Sequence, residues 1–265
     1  MVILKMSNSA KKGTGKKILF IVEGETDEPD FLNKVREQLF QNYDIEYYTY
    51  NTSIHDLIDG LCPDGEFCED FDLKLTLKSM EKDEEKRKKL EGKYTDVFLI
   101  FDMEPHYQKQ HYDSIKKMLQ FYTDSSGEGK LYINYPMMQS YKHVKTMPDL
   151  EFKDKKVTLE EVKRYKQLVG DESEYQHLSR YDFKILLSLC AHHLMKLNYV
   201  LTGKYAIPTV EQFESFKYDS LLEHEVKQWK EENRVDVLNT SILWILEFTP
   251  RYIDSFIQHR DTFLI

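Results

Sequence analysis

The chain has 265 residues, a net charge of −9 and aromatic residues at 13% of its composition. This aromatic content excludes a chain that is disordered over most of its length, because it provides enough apolar surface for a large core. The longest apolar runs are about five residues, whereas a membrane-spanning helix needs about 20, so we predict no membrane segment. The negative charge argues against a general polyanion binder, which is usually basic.

The cysteines and the amino terminus predict a cytoplasmic protein. Three cysteines in a chain of this length do not describe a disulfide framework, and the spacing of Cys62 and Cys68 is not that of a zinc ribbon. The apolar stretch at 1–6 is too short for a signal peptide. Residues 1–17 carry five lysines and no acid, and we expect them to form a flexible basic arm.

The first predicted strand is the apolar run 18–22, which is typical of a strand buried on both faces in a parallel sheet. Capping and acidic residues with an early proline follow at 26–29, and helical spacing of apolar residues continues to about Gln41. Next come a strand at 45–50, an irregular acidic stretch at 51–72 and a charged helical stretch at 73–91. We interpret residues 51–92 as an insertion before the next strand.

A second fully apolar strand is predicted at 97–101, and it leads directly into Asp102, Met103 and Glu104. Further predicted elements are a helix around 115–122, a strand at 131–135, and helices near 158–169, 182–197, 211–230 and 235–247. Strands that alternate with helices favour an α/β fold with a parallel sheet flanked by helices. The sequence therefore predicts an α/β domain over 18–145 and a helical C-terminal subdomain over 146–265.

Carboxylates follow both fully apolar strands. Glu23 ends the first strand, and Asp102 with Glu104 ends the second. Functional groups gather at the carboxyl ends of parallel strands, and residues i and i+2 of an extended chain point to one side. Carboxylates that meet there repel each other unless a divalent cation lies among them, and hard oxygen ligands favour Mg²⁺ or Mn²⁺.

These acids have alternative interpretations. Acids after strands are common in loops, and Asp27 and Glu28 could complement the amino terminus of a helix. A haloacid-dehalogenase-type phosphatase needs Asp-x-Asp-x-Thr after its first strand, and a response-regulator receiver needs an acidic pair there. Glu23-Gly24 supplies neither pattern. The remaining candidate is the Toprim arrangement, with Glu-Gly after one strand and an Asp-x-Asp-like pair after a later one.

Three stretches of the sequence resemble Toprim-domain proteins, and more narrowly the RloB-like and OLD-type nucleases, which include Toprim effectors of phage-defence systems such as PARIS. Residues 18–31 are similar to the family's strand, Glu-Gly and Thr-Glu/Asp segment, and residues 97–104 to its strand and Asp-x-Asp segment. Residues 133–143 are similar to the RloB-like Asn-Pro-x-Phe-Glu-x-Trp motif followed by His. Together these matches extend over about half of the chain, 17–145.

The resemblance implies a Toprim fold and cleavage of phosphodiester bonds in DNA or RNA with Mg²⁺ or Mn²⁺, by a toxic effector of anti-phage defence. On the matching positions, Glu23 would be the general acid/base or a metal ligand, and Asp102 and Glu104 would hold the metal. Asp27 would hold a second metal. Glu104 stands where many Toprim proteins have Asp, and Gln139 where RloB-like proteins tend to have Glu.

Two alternative functions use the same residues. The chain could be a non-catalytic, Toprim-like binding or regulatory subunit of a complex with an ABC- or OLD-type ATPase, or a phosphoesterase acting on small molecules. A homodimer is also open. Lys142, His143 and Lys145 follow the strand at 131–135, and we expect them to contact phosphates near the acids. His192 and His193 are predicted to pack in a helix, because adjacent helical residues point about 100° apart.

The charge distribution reconciles the acidity with a nucleic-acid substrate. Residues 1–17 contribute +5, so residues 18–265 sum to −14. Part of this excess belongs to the predicted metal site, where a bound divalent ion would partly neutralise the acids and invert the local field. The acidity therefore excludes a passive, charge-driven binder but is compatible with a metal-dependent nuclease.

Overall fold

The structure, a computed structural model, describes residues 16–62, 66–67, 72–105 and 111–263. Apart from Lys16 and Lys17, the predicted basic arm lies outside these residues, as does Cys68. None of the helices in these ranges is long and apolar enough to cross a membrane.

A five-stranded sheet forms the centre of the molecule, in the order β2-β1-β3-β5-β4. Its strands are β1 (Lys17–Val22), β2 (Asp44–Thr49), β3 (Asp96–Asp102), β4 (Thr123–Asp124) and β5 (Gly129–Asn134). The first four strands of this order pair in parallel, and only the two-residue β4 is antiparallel. All seven residues of β3 are buried, as expected for a central strand with both faces covered. The predicted α/β class, with a largely parallel sheet flanked by helices, is confirmed, and the arrangement is consistent with a Toprim-like fold.

Twelve α-helices occur in the described ranges, together with a short ribbon of two antiparallel strands. The helices are α1 (Asp27–Leu39), α2 (Ile54–Leu61), α3 (Leu73–Met80), α4 (Glu84–Glu91), α5 (Tyr112–Phe121), α6 (Leu159–Val162), α7 (Tyr165–Glu172), α8 (Phe183–Thr202), α9 (Val210–Ser215), α10 (Tyr218–Glu232), α11 (Trp244–Phe248) and α12 (Arg251–Gln258). The ribbon pairs β6 (Lys156–Thr158) with β7 (Arg234–Asp236).

The hydrophobic core is continuous across residue 145, where the sequence predicts a boundary. Phe20 of β1 and Phe98 of β3 are register partners, so their side chains lie on the same face of the sheet. Trp244 packs against both rings, with centroid distances of 5.2 and 6.2 Å. The C-terminal half thus covers one face of the sheet, and this packing supports the sheet edge on which the candidate site lies.

Several segments differ from the sequence-based prediction. The helical stretches predicted at 73–91, 158–169 and 211–230 are each divided into two helices, α3 with α4, α6 with α7 and α9 with α10. The stretch 51–72 contains α2, whose first turn is capped by Ser53, so its description as irregular is wrong. The predicted helix at 235–247 is also wrong, because β7 occupies the start of this range and α11 begins only at Trp244. Val235 and Val237 alternate as in a strand, but β7 forms by pairing with β6, which lies far away in the sequence and leaves no local signal.

Candidate functional site

The connections of the sheet place Glu23 and Asp102 side by side. From β1 the chain passes to β2 on one side, and from β3 it passes to β5 on the other side, so the order reverses between β1 and β3. Ligands bind at such a switch point, beyond the carboxyl ends of the strands. The Asp102 backbone N–H donates to Glu23 Oε2 at 3.2 Å. The two acids therefore meet where their positions after the strands predict.

A cavity of about 780 Å³ opens at this edge, and opposite charges line its two sides. The acids, which come from the ends of β1 and β3 and from the start of α1, are Glu23, Asp27, Glu28, Asp102 and Glu104. Cations line the other side and come from the junction of α6 and α7: Lys163, Arg164 and Lys166. A volume in this range suits a ligand of nucleotide size or larger.

Glu104 enters the cavity from a strained backbone. Its φ of +44° lies in the left-handed region, which side chains other than glycine rarely adopt. Such a conformation costs about 1–3 kcal/mol, and strain of this kind concentrates at functional sites. The fold stores this strain two residues after the end of β3, at the position where it directs a second carboxylate into the cavity.

Burial and mutual repulsion disfavour the ionised form of three of these acids. Burial raises the pKa of Glu23, and the charges of Asp102 and Glu104 raise it further. Burial and Glu28 likewise raise the pKa of Asp102, and burial raises that of Glu28. No lysine or arginine forms an ion pair with Glu23, Glu28 or Asp102 anywhere in the ranges that the structure covers. The charge of Lys166 acts on Glu28 and Asp102 from beyond ion-pair distance, so a bound cation would add the direct contact that these acids lack.

Glu28 belongs to the site although the sequence analysis assigned it to the helix terminus. It is only 4% exposed, and its carboxylate folds back over Gly24. A Cβ at position 24 would lie 2.5 Å from Glu28 Oε2, so the glycine leaves room for the acid. The sequence did not distinguish Glu28 from Asp27, because both lie in the first turn of α1 and either could face solvent.

Asn134 lies in the stretch 133–143, and the sequence analysis assigned it no role. It is the register partner of Asp102 at the end of β5, and its Nδ2 donates to Asp102 Oδ1 at 3.4 Å. Its own Oδ1 accepts the Ser241 backbone N–H at 3.1 Å. Asn134 therefore orients Asp102 with a neutral donor, and the rule used for strand-end acids would have found it.

Asp27 and Gln139 form a polar contact at the mouth of the cavity. Gln139 Nε2 and Lys166 Nζ both donate to Asp27 Oδ2, at 2.5 and 2.8 Å. The amide oxygen of the same side chain, Gln139 Oε1, is buried and accepts no hydrogen bond from any described residue. Asp27 therefore lies beside the predicted metal ligands but is ion-paired, and a buried oxygen acceptor remains unused next to it.

Of the three residues predicted to contact nucleic acid, one is contradicted by its position. His143 is completely buried, and its Nδ1 accepts from Tyr165 Oη at 2.9 Å. Its Nε2 donates to Glu172 at 3.0 Å. The prediction for His143 is wrong because the imidazole connects two parts of the fold. Lys145 is exposed and Lys142 is half-buried, which lowers the pKa of Lys142.

The packing prediction for His192 and His193 is confirmed. Both rings are buried. His193 Nδ1 accepts the Asn239 N–H and its Nε2 donates to the Tyr141 carbonyl. His192 uses both of its ring nitrogens in the same way with other backbone groups.

His55 holds the backbone around the second acidic segment. This buried ring accepts the His111 N–H at Nδ1, at 3.1 Å, so the proton lies on Nε2. The Nε2 atom lies 3.4 Å from the carbonyl oxygen of Met103, which separates Asp102 from Glu104. His55 thus connects α2, the acidic segment and the start of α5. Sequence analysis could not assign this role, because neither partner is a side chain.

A second group of potential metal ligands lies beside the ribbon. It consists of His224, Glu225 and Asp236, whose ligand atoms are within 4.8 Å of one another. Lys196 Nζ lies 3.0 Å from Asp236 Oδ1. Gln228 Nε2 lies 2.7 Å from both His224 Nε2 and Asp236 Oδ2. An amide and an ammonium group therefore occupy the positions that a metal ion would need.

The candidate site at the sheet edge offers donors of another kind, but among the described residues no three of its ligand atoms lie within 4.8 Å of one another, as those of the ribbon group do. Its donors are carboxylate oxygens, the ligands that Mg²⁺ and Mn²⁺ prefer. Gln139 also lines this cavity, but its unused Oε1 is buried and would have to turn to reach a ligand. Comparisons of the chain with protein-family models, with curated proteins and with solved structures found no match.

Proposed function

We propose that the protein is a Mg²⁺- or Mn²⁺-dependent nuclease that hydrolyses phosphodiester bonds in DNA or RNA. One observation carries this proposal. Glu23 and Asp102 meet at the switch point of a parallel sheet, pair with no lysine or arginine that the structure describes, and line a cavity that basic residues also line. A metal ion would neutralise these acids, and the basic side would receive the phosphates.

The chain's own residues would act in distinct ways. Glu23, Asp102 and Glu104 would hold the metal, which when bound supplies water activation and charge neutralisation at the phosphoryl group. Asn134 and the Asp102 N–H fix the orientations of the Asp102 and Glu23 carboxylates. Burial raises the pKa of Glu28, as it raises the pKa values of Glu23 and Asp102, so each of these acids favours its protonated form until a cation is bound.

The biological role that we propose follows the resemblance to Toprim nucleases, which depends on these same acids. The protein would act as a toxic effector in anti-phage defence, in the cytoplasm, held in check by an ABC- or OLD-type ATPase partner. The net charge of −14 over residues 18–265 would then limit binding to substrates that reach the metal.

The test is a pair of isosteric variants, Glu23→Gln and Asp102→Asn. We expect each to lower cleavage of single- and double-stranded DNA and RNA by about a thousandfold, because a metal ion supplies several kcal/mol of transition-state stabilisation. Calorimetric titration should also show weakened Mn²⁺ binding. Glu85→Gln is the matched control, since Glu85 is an exposed acid of α4. Wild-type activity in Glu23→Gln would overturn the assignment.

A non-catalytic subunit is the second candidate, and the state of Asp27 favours it. This predicted ligand of a second metal is paired with Lys166 and Gln139. If the chain binds no Mn²⁺ in a carboxylate-dependent manner, the regulatory alternative is preferred. Activity on a generic phosphomonoester but not on oligonucleotides would instead support the small-molecule phosphoesterase.

A further inference from the structure

The basic side of the cavity, which we call the basic edge, consists of Lys163, Arg164 and Lys166. Resting on the proposed function, we infer that this edge binds a phosphate next to the scissile one. The substrate is then a polynucleotide strand, and an isolated phosphoester is held much more weakly.

Buried neighbours hold the backbone of the basic edge in place, and its charged side chains remain exposed to solvent. Val162 and Tyr165 are buried, at 2% and 1% exposure, and Tyr165 Oη donates to His143 Nδ1. The cations that alternate with these two anchors are all exposed. His143, which does not contact solvent, therefore serves the site indirectly by fixing the segment that presents the cations.

The three cations are available for a phosphate. Arg164 forms no ion pair within the described ranges. Lys163 pairs with Glu160 at 2.8 Å, and both side chains are more than half exposed. Lys166 pairs with Asp27 at 2.8 Å, where the two side chains are 70% and 46% exposed. Exposed pairs of this kind contribute only about 0–1 kcal/mol, so a phosphate can displace them.

The start of α7 adds to this positive side. Arg164 is its N-cap residue and forms no side-chain cap, so it does not satisfy the amide groups of the first turn. Tyr165, Lys166 and Gln167, which belong to that turn, line the cavity. The partial positive charge of a helix amino terminus acts on an anion in the same direction as the three side chains.

Both sides of the cavity are required to accept a strand. The acidic side repels phosphate wherever no metal covers it, so a single phosphate is held only at the metal. A strand presents further phosphates at fixed spacing, and these reach the cations opposite. The charge pattern thus selects for a chain of phosphates, which distinguishes a nuclease from a phosphomonoesterase.

The test measures binding in a Glu23→Gln background, where cleavage does not interfere, by fluorescence anisotropy with DNA or RNA 12-mers at a Mn²⁺ concentration that calorimetry shows to saturate this variant. The variant is Lys163→Ala/Arg164→Ala, which leaves Lys166 and its contact with Asp27 intact. We expect the salt slope to fall by about 1.4 and Kd at 0.1 M salt to rise about tenfold, as for two lost single-strand phosphate contacts. Lys184→Ala/Lys227→Ala, which removes two exposed cations outside the cavity, should leave both values unchanged.

Competition with a dinucleoside monophosphate tests the requirement for a second phosphate. In the background protein, the 12-mer should compete at least about ten times better than this single-phosphate probe, and the variant should lose that advantage. Equal slopes and Kd values in the variant and the lysine control would overturn the inference. The proposed function fails separately, if the wild-type protein cleaves neither DNA nor RNA with Mg²⁺ or Mn²⁺.

Discussion

Two groups of buried acids occur in this molecule, and they differ in the origin of the opposing charge. Asp236 beside the ribbon is 2% exposed and pairs with Lys196, which is fully buried. Asp102 at the sheet edge is 9% exposed, and its side-chain partner is the neutral amide of Asn134. The first group is neutralised within the fold, and the second opens to a cavity.

This difference in the opposing charge distinguishes Asp236, which is paired within the fold, from Asp102, which we propose to be functional. A buried charge is costly unless it is paired, so a fold that keeps an acid without a partner needs another source of positive charge. Lys196 supplies it for Asp236, whereas no lysine or arginine in the described part of the chain pairs with Glu23 or Asp102. The distances between ligand atoms alone would have selected the ribbon group, and the internal lysine shows that its charge is already paired.

Removal of Lys196 should have the largest effect on stability. We expect Lys196→Met to lower the free energy of unfolding by about 3–5 kcal/mol, because it leaves Asp236 buried and unpaired. Urea denaturation measures this, with the exposed Lys184→Met as control. A loss below about 1 kcal/mol would contradict the view that Asp236 depends on this pair. Lys196→Met/Asp236→Leu should recover much of the loss, since it removes both charges.

Removal of His55 should affect the candidate site more than the stability. We expect His55→Leu to lower cleavage and Mn²⁺ affinity about 10–100-fold, the usual effect of losing a group that orients metal ligands. His55→Gln should retain more of both, because an amide can still accept from His111 and donate to Met103. Kinetics and calorimetry measure these two effects. Equal losses in His55→Leu and His55→Gln would show that the ring acts only by packing.

The sequence predicted the framework of the site better than its details. Glu23 and Asp102 followed from two apolar strands, since burial and strand ends are local properties of the sequence. Glu28 and Asn134 were missed because their roles depend on a backbone approach at Gly24 and on strand register. His143 was misplaced because its burial depends on tertiary contacts, which include its hydrogen bonds to Tyr165 and Glu172, 22 and 29 residues further along the chain.

The pH dependence of stability should show the smallest effect. Burial acts to raise the pKa of Asp236, but Lys196, His224 and Gln228 hold it below its ordinary value. An acid with a lowered folded pKa stabilises the fold above its unfolded pKa of 3.8 and loses this contribution as pH falls further. We therefore expect the wild-type protein to lose stability below about pH 4 more steeply than Asp236→Asn, as measured by urea denaturation at pH 3–6. Parallel curves for the two proteins would show that the pair is not ionised, and would remove the distinction between the two groups of acids.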